Sequence, residues 1–285
     1  MICPYCGREH ADTARFCMVT GRPLAAAATP RRRPLPAVFH ADSAARSIDM
    51  SGYDTSALTD MKGMFGNCEA LTSVNLRGMD TGKVKTMSHM FFGCKSLTSL
   101  DLSGFDTRDV DDMGAMFGHC ESLTRLDISS FNTAEVTDMG AMFWFCKSLV
   151  SLDVRNFNTA KVVNMDYMFC ECHALRHLDL STFRTSRVRT MSWMFKGALN
   201  LGTLNLSNFD TSGVKDMSWM FANCSALESL DLSGFDVRSV EKSECMFLGC
   251  RKLRQVTVRG CNAETVAFIR AALDAAQLSG VQVCG

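Results

Sequence analysis

The sequence predicts an α/β solenoid, a stack of similar units that each contain a short helix and a strand. Three observations predict this class. A 26-residue motif recurs along most of the 285-residue chain. Within each unit the apolar spacing changes from a helical to a strand period. One unit alone buries too little apolar surface to fold, so stacking is expected to supply the core.

The motif is clearest in residues 87–112, MSHMFFGCKSLTSLDLSGFDTRDVDD. We number its positions from 1, at the first methionine, to 26. Apolar side chains at positions 1, 4, 5 and 8 predict a short helix. Leu100 and Leu102 then alternate as a strand requires. Asp106 suits a turn, and Asp112 suits the N-cap of the next helix.

The units divide the chain into four predicted parts. Residues 1–22 form a zinc-ribbon-like segment, 23–36 a Pro/Ala-rich linker, 37–261 the solenoid, and 262–285 a C-terminal cap of one helix and one strand. The solenoid begins with a partial repeat, and an eighth unit without the first methionine ends it. The seven units between them start at Met61, Met87, Met113, Met139, Met165, Met191 and Met217.

The repeat pattern M-x-x-M-F-x-x-C-x-x-L-x-x-L-D-L-S-x-F-D-T-x-x-V, over about residues 48–261, resembles the BspA-like leucine-rich repeat family of bacterial surface proteins. The resemblance implies a right-handed leucine-rich-repeat-like stack, with one parallel sheet along one side and short helices opposite. It also implies adhesion or protein binding, usually at the cell surface.

The N-terminal cysteines indicate a metal site. Cys3 and Cys6, in C-P-Y-C-G, have the form of a zinc knuckle, and Cys17 follows in F-C-M-V-T-G. Residues 1–22 resemble the small zinc-ribbon family, but Thr20 stands where its fourth cysteine belongs. We therefore expect one zinc ion on the three cysteines, with His10 as candidate fourth ligand. The alternative is a degenerate knuckle that binds nothing tightly.

Composition limits the other functions. The 30 basic and 30 acidic residues cancel, so no overall field attracts nucleic acid. No apolar run is long enough to span a membrane, and the N-terminus lacks the features of a secretory signal. The sequence therefore predicts a cytoplasmic protein, whereas the family resemblance implies the cell surface. No catalytic signature is present, so we expect no enzyme.

Two columns of side chains are candidate contact surfaces for a protein or glycan partner. Position 15 forms an acidic column that includes Asp101, Asp127, Asp153 and Asp179, with the alternative that it is a solvated ladder serving solubility. Position 3 becomes aromatic in three successive units, at Tyr167, Trp193 and Trp219, with Trp144 and Phe145 one unit earlier. Rings that instead pack on their own solenoid are the alternative there.

The cysteines at position 8 are expected to be a ladder of packed thiols. Two functions follow from these patterns. The first is a non-catalytic binding or adhesion repeat protein. The alternative is an intracellular scaffold whose zinc-ribbon-like segment and basic linker, Arg31, Arg32 and Arg33, engage nucleic acid or a protein complex.

Overall fold

The computed structural model describes residues 33–35 and 42–285. The chain divides into two compact units, Met1–Pro34 and Leu35–Gly285. Of the first unit, the structure describes only strand β1, Arg33–Pro34. The second unit is a solenoid, in which each 26-residue repeat forms one coil and pairs in parallel with its neighbours. The predicted solenoid is therefore confirmed, whereas the predicted boundaries at residues 22 and 36 lie outside the described residues.

Short parallel strands form at positions 13 to 15, where the leucine alternation predicts them. One sheet contains β2 (Ser47–Asp49) and β4 (Ser73–Asn75), and β3 (Tyr53–Asp54) lies between them in sequence. A second sheet has the order β5-β6-β7-β8. Its strands are β5 (Thr203–Asn205), β6 (Ser229–Asp231), β7 (Gln255–Thr257) and β8 (Gln282–Cys284).

The predicted parallel sheet is present, but its regular strands are confined to the two ends of the stack. Between β4 and β5, the described coils pair at these positions only through one bridge, Ser151 to His177. The coils there are instead joined one position earlier by longer hydrogen bonds, such as 3.2 Å from Thr124 N to Thr98 O. The most continuous pairing is at position 26, where parallel bridges run from Asp60 to Lys242.

The predicted short helices are wrong. Positions 1 to 8 form overlapping turns, in which Met64 N donates to Met61 O at 3.2 Å. Alternate amides point along the stack instead, as Phe65 N donates to Met90 O of the next coil at 2.9 Å. The apolar side chains still face inward, because these turns and a helix both place positions 1, 4, 5 and 8 on one side. Among the described residues the only helix is α1, Ala263–Ala275.

Side chains of aspartate and asparagine form up to three corners in a coil. In one coil the Oδ1 atoms of Asp127, Asn132 and Asp138 each accept a hydrogen bond from the amide two residues further on, at 3.0, 3.0 and 2.7 Å. These are Asx turns. Position 26 was predicted to cap a helix, and its side chain instead closes a turn.

A buried threonine at position 21 joins successive coils. Thr159 Oγ1 donates to Arg184 O at 2.9 Å and accepts from Arg184 N at 2.7 Å. The hydroxyl thus pairs with both the amide and the carbonyl of one residue, at a position where no β-strand pairing is present. The same pair of bonds links Thr107 to Asn132 and Thr133 to Asn158.

The core consists of columns of identical side chains. Phenylalanines at position 5 are fully buried and stack along the solenoid, with ring centroids 5.2 to 6.0 Å apart. The position 8 cysteines are buried free thiols, which confirms the predicted ladder. Each thiol donates to a phenylalanine carbonyl of the preceding coil, as Cys94 Sγ does to Phe65 O at 3.2 Å. Burial raises the pKa of Cys94 to about 12, so these thiols stay protonated.

The C-terminal residues close the stack. Helix α1 has Asn262 as N-cap, whose Oδ1 accepts from Thr265 N at 2.8 Å. Ile269 and Leu273 of α1 are buried against the last coil. Strand β8 then adds to β7 in parallel register, with Val256 opposite Val283. The core is thereby covered by a helix with an exposed polar face.

Candidate functional site

Half-buried aromatic rings form a continuous strip along the turn side of the solenoid. Neighbouring rings lie 4.6 to 6.4 Å apart, centroid to centroid, in a chain of contacts across six successive coils. We call it the aromatic strip. It contains His89, Phe92, His119, Trp144, Phe145, Tyr167, Trp193 and Trp219.

The three predicted aromatic residues lie together in this strip. Tyr167 and Trp193 stack with an interplanar angle of 17° and centroids 5.3 Å apart. Trp193 and Trp219 stack at 20° and 5.1 Å. None of the three is fully buried, so their rings are available at the surface.

Left-handed backbone conformations place these side chains outward. Tyr167, Trp193 and Trp219 have φ angles of 58°, 62° and 59°. Position 7 has the same conformation, at His119 and Phe145 among others. L-residues other than glycine and asparagine adopt this region at a cost, which the hydrogen bonds between coils offset here.

One glycine makes room within the strip. The ring of Phe92 lies over Gly118, where a Cβ atom would stand 2.9 Å from the ring. Phe92 can therefore reach across one coil to Trp144, with ring centroids 6.4 Å apart. Gly118 occupies position 6, where Trp144 itself stands one coil later.

Cations flank the rings and are held by carboxylates. Lys196 Nζ lies 4.4 Å from the Trp193 ring centroid and 3.1 Å from Glu171 Oε1. His173 Nε2 lies 2.7 Å from Glu171 Oε2. Burial alone would raise the pKa of Glu171, but these two hydrogen bonds outweigh it and lower the pKa. Burial raises the pKa of the Tyr167 hydroxyl, so Tyr167 is neutral at physiological pH.

The acidic column is exposed, as the sequence predicts, and its carboxylates take part in the corners. Asp101, Asp127 and Asp179 each accept from the amide and hydroxyl two residues on, which lowers the pKa of each. Arg155 holds the pKa of Asp153 at about 2. Hydrogen bonds to the column thus offset the repulsion between like charges. Its use as a contact surface stays a prediction.

The predicted zinc ligands Cys3, Cys6, Cys17 and His10 lie outside the described residues. Within residues 33–35 and 42–285, no group of three or more candidate ligands could hold a metal ion. No helix in that part of the chain is long and apolar enough to cross a membrane.

Sequence reasoning missed three members of the strip, His89, Phe92 and His119. It proposed Tyr167, Trp193 and Trp219, with Trp144 and Phe145 one unit earlier, and left out the two units before them. The aromatic and histidine residues at positions 3, 6 and 7 of those two units were the available signal. Left-handed residues at both 3 and 7 bring all three positions to one surface.

The chain is a leucine-rich-repeat-like solenoid protein, because its coils pair in parallel and its core consists of stacked side-chain columns. The aromatic strip lies on the surface of this solenoid. Models of one repeat family match residues 34–152, 99–177, 119–205 and 171–278, which together cover most of the chain. The chain belongs to this family, described as "Mycoplasma protein of unknown function, DUF285". The predicted membership of a bacterial repeat family is thus confirmed. Residues 1–22, where the sequence predicts a zinc-ribbon-like segment, precede the matched residues.

Solved structures of bacterial leucine-rich repeat proteins are similar over part of their length. A leucine-rich repeat protein from Bacteroides ovatus is 18% identical, with a TM-score of 0.39, and the match covers 74% of this chain and 54% of that one. A leucine rich cell surface protein from Faecalibacterium prausnitzii is 16% identical, with a TM-score of 0.30 and coverages of 84% and 77%.

A third structure, of a leucine-rich repeat protein from Leptospira interrogans, is 15% identical, with a TM-score of 0.34 and coverages of 83% and 59%. The chain thus spans little more than half the length of the Bacteroides and Leptospira proteins. No curated protein matches the chain.

Proposed function

We propose that this chain is a non-catalytic binding protein, and that the aromatic strip is its contact surface for a protein partner. The observation that carries this proposal is the continuity of half-buried surface rings over six coils. Large contiguous apolar patches on soluble proteins mark interaction sites, and aromatic side chains are enriched there.

The orientation of the rings favours a protein over a glycan. Sugars stack on the open faces of aromatic rings, but Tyr167, Trp193 and Trp219 cover one another's faces. The stack therefore presents ring edges outward, with the polar atoms of the rings among them. Edges suit apolar side chains, backbone carbonyls and other aromatic rings of a protein partner.

The backbone gives a second reason. At position 3 a small residue is compatible with the same backbone conformation, as Ala115, Ala141 and Gly63 show. The coil therefore does not require aromatic residues at this strained position, although three successive coils have one there. Strained residues concentrate at functional sites.

We place the contact on the strip rather than on the acidic column. Each column carboxylate already forms a corner of the coil, so a structural reason accounts for its residue type. No comparable structural reason accounts for the rings of the strip.

The test compares two multiple variants of the full chain. In the first, Tyr167, Trp193 and Trp219 are changed to alanine, which the neighbouring coils tolerate at position 3. In the control, the exposed off-strip residues Val150 and Val163 are changed to alanine. Immobilised wild type is used to capture partners from surface and cytosolic fractions, and affinities are measured for the protein recovered.

We expect the strip variant to lose at least tenfold in affinity while the control variant stays within twofold. Equal affinity of both variants would refute the strip as the contact surface. A partner that is recovered only after glycan-specific elution would show that the proposed class of partner is wrong. Recovery from the surface fraction, rather than the cytosolic one, would place the protein at the cell surface.

We also propose one zinc ion on Cys3, Cys6 and Cys17, with His10 as fourth ligand. The C-x-x-C pair of Cys3 and Cys6 supports it, since this spacing is typical of small zinc folds, and Cys17 follows it as a third thiol. Metal analysis of purified full chain should find about one zinc per chain, and Cys17→Ser should remove it. Equal zinc content in the wild type and in this variant would contradict the assignment.

A further inference from the structure

A groove lies at the C-terminal end of the stack, between the turn side of the last coil and helix α1. Its volume is about 420 Å³, within the usual range for ligand sites. It lies outside the aromatic strip. One wall is residues 241–248 of the coil, and the other contains Phe268, Ala271, Ala272, Ala275 and Ala276 of α1.

The coil side of this groove carries backbone donors without acceptors. In every preceding coil, the amides at positions 1, 3, 5 and 7 donate to carbonyls of the next coil. In the coil just before the last, these bonds measure 2.6 to 3.0 Å. The equivalent amides of Ser243, Cys245, Phe247 and Gly249 have no hydrogen-bond partner in the described part of the chain.

Two of these donors can be reached from the groove. Ser243, which is partly exposed, and Cys245, which is exposed, line it, whereas Phe247 is fully buried and its amide is out of reach. Unpaired backbone donors at an open edge are a template for pairing with another chain. Helix α1 occupies the place of the next coil, but its own amides and carbonyls bond within the helix.

The chemistry of the groove identifies its occupant as a peptide. Donors two residues apart match the same-side carbonyls of a peptide backbone, which is what pairs with them in every earlier coil. The α1 wall is lined by alanines and one phenylalanine, which leaves room for small apolar side chains. Glu241 and Glu244 are the only charged residues that line the groove. Glu241 is paired with Lys215 at 2.8 Å, whereas Glu244 faces no cation within ion-pair distance in the described part of the chain, so its charge favours a basic residue in the occupant.

We propose that a basic peptide segment of another protein, with small apolar side chains, binds in this groove and adds one further row of backbone hydrogen bonds to the last coil. Its carbonyls accept from Ser243 N and Cys245 N, the two unpaired amides that line the groove. Its apolar side chains pack on Ala272 and Phe268, and its basic side chains face Glu244. The site is separate from the aromatic strip and does not depend on it.

The test uses full-length protein and three acetylated, amidated octapeptides in which lysine alternates with alanine, valine or serine. Matched peptides carry glutamate in place of lysine. Affinity is measured by calorimetry, and amide hydrogen exchange is followed residue by residue with and without peptide. We expect at least one lysine peptide to bind at least tenfold more tightly than its glutamate counterpart and to slow exchange at Ser243 and Cys245.

Two variants of α1 locate the binding. Ala271 is exposed and lines the groove, whereas Ala267 is exposed on the same helix and does not line it. Ala271→Trp should weaken peptide binding at least tenfold, and Ala267→Trp should leave it within twofold. The alanine variant of the aromatic strip should bind the peptide as the wild type does.

Three results would each overturn the proposal. The first is that none of the lysine peptides binds. The second is binding without protection of Ser243 and Cys245. The third is equal loss of affinity in both α1 variants.

Discussion

At the scale of single residues, two polar side chains determine the path of each coil. A threonine hydroxyl at position 21 satisfies the amide and the carbonyl of one residue in the next coil, as Thr159 does for Arg184. An aspartate or asparagine closes each corner by bonding the amide two residues on. Both residue types were visible in the sequence as turn formers. Their partners in the neighbouring coil were not, since these depend on the stacking register.

The threonine ladder leads to a stability prediction. Thr159→Val keeps the shape of the side chain but removes the hydroxyl that pairs with Arg184 N and Arg184 O in two part-buried hydrogen bonds. We expect a loss of about 2–4 kcal/mol in the free energy of unfolding. Thr159→Ser is the matched control, because it keeps the hydroxyl, and should lose less than half as much. Urea unfolding measures both, and equal losses would show that the methyl group, rather than the hydroxyl, stabilises this position.

The acidic column leads to a prediction about pH. Side-chain hydrogen bonds from Arg155 hold the pKa of Asp153 at about 2 in the folded chain, below the value of about 3.9 for an unfolded chain. Because the folded pKa is depressed, the stabilisation is present above pH about 4 and is lost as the pH falls toward 2.

Titration of the Asp153 carboxyl by NMR should therefore give a midpoint near 2 in the wild type. In Arg155→Gln we expect it to rise by about 1 unit. Asp127 is the control, because the lowering of its pKa comes from hydrogen bonds donated by Ser129 and Arg155 does not contribute to it. An unchanged Asp153 midpoint in the variant would show that Arg155 is not the cause.

At the scale of elements, the turns of positions 1 to 8 are where sequence reasoning went wrong. The apolar spacing fits a helix, and the structure uses the same spacing in overlapping turns. What decides the outcome is that alternate amides bond the next coil rather than the same segment. Gly93 and Asn67 at position 7 were the signal, since both residue types favour the left-handed region. In contrast, helix α1 and the strand after it were foreseen, because their patterns are local.

The strip depends on one glycine, which gives a prediction for this element. Gly118→Ala places a Cβ 2.9 Å from the Phe92 ring and must displace it. We expect a loss of about 1–3 kcal/mol in stability and a shifted NMR signal of the Trp144 indole. Gly104→Ala is the control, because no atom lies within 4 Å of the added carbon. An unshifted Trp144 signal in Gly118→Ala would show that Phe92 and Trp144 are not coupled.

At the scale of the whole molecule, the solenoid has no core independent of its coils, so its open end must be covered. Phe247 and Val256 of the last coil are fully buried only because the C-terminal residues lie against them. Repeat proteins without such a cover expose their apolar columns and backbone edges to other molecules. The need for a cap was predictable from the repeat. The groove beside the cap was not predictable, because it depends on how closely α1 packs against the last coil.

The cap can be tested without shortening the chain. Ile269→Asp with Leu273→Asp places charges in the buried side of α1, and we expect a loss of at least about 3 kcal/mol. Self-association should follow, seen by sedimentation velocity. The control changes the exposed residues Ala263 and Ala267 to aspartate on the same helix. If the variant with Ile269→Asp and Leu273→Asp stays monomeric and as stable as the wild type, α1 is not required to cover the end of the stack.

The Asx corners have a consequence for how such a chain can change in length. Each corner is formed by a side chain and an amide only two residues away. A duplicated or deleted block of one repeat therefore carries all of its corners with it, and the two flanking coils meet in the same register. The number of coils can therefore change by whole repeats without new caps, and the order of aromatic rings along the strip changes where the repeat is inserted or removed. Gene duplication in this family would thus alter the aromatic strip, the proposed contact surface, and preserve the solenoid.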